Sequence, residues 1–281
     1  MVQFHTSHLG QSSPEGIRNY GNPEQFFGIA LVGFIDLLGF STSIRRDWKS
    51  AVETLLRIKE GAQKWQTLIH IQVTHQASPS APYTIYQSYR SRIHTVSDSI
   101  VITSALENPT AHRDLALSIK TLFRGVGWIW ERAVDAGFSI RGALEVGQIY
   151  WTPSETIGPA FLDCYEYESQ LADWSRVLVG PRLLETIGQF PPTDEPLTSF
   201  LTLSQDGLVE AAPTRFGYEQ RRIQIENIRA NAGPIHWEKY DPLLAHLTQG
   251  WRPVTTPDLI RARSEIVKRI ERKRKLPPRE S

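Results

Sequence analysis

"GFIDLLGFS", residues 33–41, places an aspartate inside the longest apolar run of the chain, which extends from Phe26 to Phe40. "FFGIALVGFIDL", 26–37, predicts a strand buried on both faces, and Gly39 ends it. A carboxylate at such a place is costly unless it is paired, hydrogen-bonded or metal-bound. A second one occupies a similar position. "IYQSYRSRIHTVSDSIVITS", 85–104, alternates and then turns apolar, which predicts a β-hairpin with Ser97 and Asp98 in its turn. Carboxylates at two neighbouring strand ends suit Mg²⁺ or Mn²⁺, because Mg²⁺ takes one or two protein carboxylates and fills the rest with phosphates and water. Gly39 and the run Ser41–Thr42–Ser43 then offer backbone N–H groups and hydroxyls to a phosphate near a helix start. The plainer alternative for each aspartate is a turn or helix cap.

The composition narrows the class of protein. The chain has 281 residues, 40% of them hydrophobic, which is enough for a substantial core. Its 31 basic and 30 acidic residues nearly cancel, so no overall charge draws it to nucleic acid or membrane. A single cysteine, Cys164, excludes a disulfide framework and fits the cytoplasm. The N-terminus has no basic segment followed by an apolar one, so no signal peptide is expected. The Phe26–Phe40 run, interrupted by Asp36, is too short to span a bilayer.

Outward from the opening strand, residues 1–25 are polar and read as a flexible arm. A helix is expected over 47–69 and a loop over the Ser- and Pro-rich 74–84. Leu115, Ile119, Leu122, Val126, Trp130 and Ala133 predict a helix over 111–136, closed by Gly137. "FSIRGALEVGQIYW", 138–151, reads as strand, 158–173 as a helix opened by Gly158 and Pro159, and 176–180 as a short strand before a helix at Pro181. Past 190 the pattern weakens: "FLTLSQDGLVE" and "PIHWEKYDPLL" suggest short strands or loops, and 256–275 a basic helix. The mixed order with a hairpin argues an α+β fold, helices on a largely antiparallel sheet. The expected division is a core over 26–190 and a C-terminal extension over 191–281.

These motifs, in this order, resemble the class III nucleotidyl cyclases. That family's first strand ends in an Asp followed by a hydrophobic residue and Gly-Phe-Thr or Gly-Phe-Ser, matched by Asp36-Leu37-Leu38-Gly39-Phe40-Ser41. Its hairpin carries a second Asp, matched by Ile93-His94-Thr95-Val96-Ser97-Asp98. "IRGALEVG" and Gly158-Pro159-Ala160-Phe161 are similar to its next strand and helix start. The resemblance covers roughly 26–180 and implies a ferredoxin-like core. It implies two Mg²⁺ or Mn²⁺ ions per site held by Asp36, Leu37 and Asp98, with the two aspartates catalytic. It implies phosphate contacts at Gly39, Phe40 and Ser41, and a base read by His94 and Glu155. The substrate would be a nucleoside triphosphate, cyclised at a site shared across a homodimer.

Two positions depart from the family. Where its helix has Asn and Arg, this chain has Leu162 and Glu166, which cannot donate to phosphate. Arg141, Arg90 and Arg92 are the cations that could substitute. The helix "GPAFLDCYEYE" and the long interval from Asp36 to Asp98 resemble the bacterial pyrimidine cyclases of antiphage signalling, which make cyclic UMP or cyclic CMP to activate a separate effector. The alternative is a cyclase-fold module that binds nucleotide or protein without catalysis.

Other features read more simply. The basic helix 261–275 fits a solvated helix packed by one face better than a nucleic-acid grip. Trp128 and Trp130 fit core or interface positions. His70 and His75 have no third zinc ligand beside them, and Cys164 has no paired base. Neither a P-loop nor a dinucleotide-binding glycine motif is present.

Overall fold

Strand β1, Phe26–Leu38, is buried without a break from Ala30 to Ile35 and is hydrogen-bonded on both edges. Its chemistry explains this: an unbroken apolar run can only be satisfied in a sheet covered on both faces. The computed structural model describes residues 25–68, 70–76, 82–88, 91–106, 112–190, 196–212, 218–249 and 252–275. All of the predicted N-terminal arm except Gln25, and Arg90, lie outside those residues.

After β1 come helices α1 (Phe40–Arg46) and α2 (Trp48–Leu68), then the strand pairs β2 (His70–Gln76) with β3 (Pro82–Ser88) and β4 (Ser91–Val96) with β5 (Ser99–Ala105). Helix α3 (His112–Asp135) leads to β6 (Ser139–Trp151), β7 (Thr156–Ile157), α4 (Pro159–Leu171), β8 (Val177–Val179) and α5 (Pro181–Gly188). The remainder holds β9 (Leu201–Leu203), β10 (Val209–Ala211), α6 (Tyr218–Ala232), α7 (Asp241–Gln249) and α8 (Thr256–Lys275).

The main sheet has the order β4-β5-β1-β6-β8-β10-β9, with β7 paired to β6. All of its pairings are antiparallel except β6–β8. The fold is thus α+β with a largely antiparallel open sheet, as expected. Its four strands β4, β5, β1 and β6 have the ferredoxin-like arrangement. One face packs on α2 and α3. A side chain at Gly33 would meet Leu144, Leu122 of α3 and Ile102, and one at Gly61 of α2 would meet Trp128 of α3 at 2.7 Å. The other face carries α4, where Phe34 makes edge contacts with Phe161 and Tyr165. Beyond 190, β9 and β10 extend the same sheet, and α8 packs on α5.

Three expectations are corrected. Thr74–Gln76 and Pro82–Thr84, expected in a loop, lie in β2 and β3; Val73, Thr74, Tyr83, Thr84 and Tyr86 are β-formers, and Pro82 takes the first strand position, where no donor is needed. The expected 85–104 hairpin is really two units, since 85–88 pair back to β2 and only β4–β5 form the Ser97–Asp98 turn. "PIHWEKYDPLL" is a 3₁₀ turn over Pro234–Lys239 followed by α7, with Pro234 and Asp241 in the first turns of helices. Among the described residues, no helix is long and apolar enough to cross a membrane.

Candidate functional site

Register decides which side chains meet. Asp36 is paired with Ser99 on one side and Arg141 on the other. Because strand side chains alternate, this row shares a face with the row of His94, Val101, Phe34 and Ala143. It is the face that α4 crosses. Asp36 accepts a hydrogen bond from Ser99 Oγ at 3.3 Å and one from Arg141 Nε at 3.2 Å. Its side chain keeps 17% exposure. Burial first, and the Asp98 charge second, push its pKa above the ordinary range, while Arg141 and Ser99 pull it back.

Asp98 follows Ser97, whose φ of 51° is left-handed backbone rare outside glycine. Lys59 of α2 donates to the Ser97 carbonyl and so braces the turn that presents Asp98. Burial lowers the Lys59 pKa and the Asp98 charge raises it. Asp98 directly precedes Ser99, the partner of Asp36 across the β1–β5 pairing, so the two aspartates lie near each other at one end of the sheet and their charges oppose. A third carboxylate joins them. Glu168 of α4, 4% exposed, lies 2.6 Å from Arg141 Nε in an ion contact without hydrogen-bond alignment. Its pKa is pushed up to about 7 by burial; Arg141 lowers it, and Asp36 and Asp98 raise it.

Hard oxygen donors that repel one another, with an open side, suit a divalent ion of the Mg²⁺ or Mn²⁺ kind. Among the described residues, no group of three or more His, Cys, Asp or Glu side chains is arranged as a ready-made metal cage. Asp36 and Asp98 offer two of the carboxylate groups that such an ion takes, and the other positions would have to be filled by substrate phosphate and water. Leu37 points its side chain into the core at 2% exposure, leaving only its carbonyl as a donor.

Gly39 takes φ 89° and caps α1, so the first N–H groups of that helix, from Phe40 and Ser41, have no acceptor within it. The Phe40 ring is buried against Phe138, and Ser41 is exposed. Tyr240 brings its hydroxyl within 3.6 Å of where a Gly39 side chain would begin, so a residue from beyond 190 borders this corner.

His94 and Glu155 lie in one neighbourhood. His94 Nδ1 meets Thr156 Oγ1, beside Glu155. Glu155 itself is exposed in a tight loop, its N–H donating to Thr152 Oγ1 at 3.1 Å. Burial and then Arg92 lower the His94 pKa, and the Thr152 backbone raises it. Nε2 of His94 and Nη1 of Arg92, two residues apart on β4, are buried without an aligned hydrogen bond.

Leu162 and Glu166 lie on the outer side of α4. Leu162 is 61% exposed, and Tyr165 beside it 53%. Glu166 is held by Arg274 of α8 through two contacts, Nε at 2.8 Å and Nη2 at 2.5 Å. Cys164 is fully buried against the Val32 carbonyl, and its pKa is raised mainly by burial. The thiol is therefore inert.

Sequence reasoning missed Glu168, Lys59 and Arg274. Only Glu168 left a trace: it falls on the stripe Ala160, Cys164, Glu168 and Leu171, the buried face of α4, where a carboxylate has no place without a partner.

No protein-family model and no curated protein matches the sequence. Among solved structures, a bacterial light-regulated adenylyl cyclase is similar at 10% identity and a TM-score of 0.46, over 75% of this chain and 59% of that one. A class III adenylyl cyclase-like ATP-binding protein from Pseudomonas aeruginosa is similar at 15% identity and a TM-score of 0.40, over 58% of this chain and 35% of that one. The chain thus spans three-fifths or less of the length of these structures.

Proposed function

We propose that the protein is a divalent-metal-dependent nucleotidyl cyclase, working as a homodimer on a pyrimidine nucleoside triphosphate, UTP or CTP. The observation that carries this reading is the meeting of Asp36 and Asp98 at one end of the sheet, on the face that also holds His94. In the reaction the ribose 3′-oxygen bonds to the α-phosphorus, the bond from that phosphorus to the bridging oxygen breaks, pyrophosphate leaves, and the hydroxyl proton passes to water. Bound Mg²⁺ or Mn²⁺ would lower the pKa of the hydroxyl and neutralise the triphosphate. Asp36 and Asp98 hold that charge in place. The α1 start at Gly39, Phe40 and Ser41 offers N–H groups to phosphate oxygens. His94, with Glu155 nearby, would read the base; its Nε2, enclosed without an aligned hydrogen bond, would have to be uncovered to meet a pyrimidine carbonyl or ring nitrogen.

The exposed Leu162 on the outer side of α4, with the half-exposed Tyr165 at the rim of its contact with Phe34, supports a homodimer through this helix. By the same resemblance, the cyclic product would act on a separate effector in antiphage defence. A second reading has an observation of its own. Glu166 is occupied by Arg274 and Leu162 offers no donor, which suits a cyclase-fold module that binds nucleotide or protein without turnover.

The test is to incubate the purified protein with ATP, GTP, CTP and UTP in turn, each with Mn²⁺, and to identify products by mass spectrometry. Cyclic UMP or cyclic CMP is expected. Nucleotide binding without any cyclic product would select the second reading, and a monomer in light scattering would remove the shared site.

A further inference from the structure

Arg141 stands between two carboxylates and cannot serve both fully. It sits opposite Asp36 in the β1–β6 register, with Nε 3.2 Å from Asp36 Oδ2. The same Nε is 2.6 Å from Glu168 Oε1, reaching down from α4. Asp36 has a second partner in Ser99, whereas the Glu168 carboxylate has Arg141 alone among its described contacts. The guanidinium is one-third exposed and so has room to move, while Glu168 is almost wholly buried and does not.

We propose that Arg141 is the built-in counter-ion of the Asp36 carboxylate, and that Glu168 is the anchor that draws it away when a divalent ion binds there. The inference rests on the reading of Asp36 as a metal ligand. An ion bound at about 2 Å from a carboxylate oxygen would crowd and repel a guanidinium on that same carboxylate. Without a second anion, displacing Arg141 would strand a positive charge in a half-buried place. Glu168 removes that cost, because the guanidinium needs only to shift toward an oxygen that it already touches. Binding of the ion would thus tighten the tie between β6 and α4. Arg141 and Glu168 are positioning residues here, since neither touches the ion.

Titration with Mn²⁺ alone, free ion followed by electron paramagnetic resonance, tests this. Arg141→Gln removes the competitor and should tighten binding about tenfold, while Glu168→Gln leaves the guanidinium on Asp36 and should weaken it about tenfold. Two residues with a merely structural role would shift affinity in the same direction or in neither. The double variant R141Q/E168Q removes the cation together with the almost wholly buried Glu168 charge, leaves Asp36 its Ser99 hydrogen bond, and keeps the test valid if R141Q fails to fold. It should bind at least as tightly as the wild type. Weaker binding by R141Q or by the double variant, or unchanged binding by E168Q, overturns the proposal. A wild-type chain that binds no Mn²⁺ overturns it together with the metal assignment. A chain that binds Mn²⁺ with these opposite shifts, yet makes no cyclic product, sinks the cyclase reading and sustains the counter-ion.

Discussion

Glu145, fully buried, and Asp36, partly buried, are carboxylates on the same face of the same sheet, and they are satisfied in different ways. Glu145, with no exposed surface, accepts hydrogen bonds from the backbone N–H groups of Val146 at 2.7 Å, Leu183 at 2.9 Å and Arg182 at 3.3 Å. It caps the start of α5, and Gly180 leaves the room, since a side chain there would come within 2.5 Å of Glu145 Oε2. Asp36 has a hydroxyl and a guanidinium, both on side chains, with Asp98 and Glu168 adding to its negative surroundings. A carboxylate tied to backbone donors is finished structure. One held by side chains that can move, beside others of its own charge, is what the proposed exchange of a guanidinium for a metal ion would need.

The largest expected difference is in turnover. Asp36→Ala and Asp98→Ala should each cut cyclic-product formation about 10³-fold or more, since the metal's several kcal/mol of charge stabilisation is lost. Urea melts of D36A should stay within about 1 kcal/mol of the wild type, because relief of the burial cost and of the repulsion from Asp98 offsets the lost contacts with Ser99 and Arg141. Product formation persisting in either variant would erase the distinction between the two sites.

Glu145→Ala should behave in the opposite manner. It leaves the Arg182 and Leu183 N–H groups without their acceptor and opens a cavity, at a cost of about 2–4 kcal/mol in denaturant unfolding. Activity per folded molecule should remain. A loss of turnover out of proportion to unfolding would place Glu145 in the chemistry.

The comparison is sharpened by pH. Burial holds the Glu145 pKa up to about 7 against 4.5 for a free side chain. The folded state then binds the proton more tightly than the unfolded state, so the stability from this group is fully present below about 4.5 and lost as pH rises through about 7. Glu145→Gln should therefore show a shallower fall in urea midpoint across that window than the wild type. Parallel curves would mean that the backbone donors keep Glu145 ionised throughout. The smallest expected effect is on selectivity. His94→Ala should change the preference among the four nucleotides by about tenfold, and an unaltered preference would remove His94 from the base pocket.

Much of this was readable in the sequence where the signal is local. The apolar run of β1, the stripe of α3 and the Ser97–Asp98 turn each carry their pattern within a few residues, and with them came the Asp pair and His94. A helix start near Gly39 was readable, but the short extent of α1, Phe40–Arg46, was not, because a helix of two turns carries no apolar periodicity. The pairing of β2 with β3 was obscured by the polar and Pro-rich composition around its connection. The companions of the site were hidden for another reason. Glu168 reaches Arg141, Lys59 reaches Ser97 and Arg274 reaches Glu166 only after the chain has folded, and no periodicity encodes such meetings. The misplaced charge on the buried stripe of α4 was the one local clue, and it named Glu168 without naming its partner.

The most direct measurement is a count of Mn²⁺ ions bound to the wild-type chain, D36N and E145Q in the presence of a non-cyclisable UTP analogue, by electron paramagnetic resonance. The account predicts two ions per site in the wild type and in E145Q, and loss of bound ion in D36N. Equal binding by wild type and D36N, or loss in E145Q alone, would contradict it.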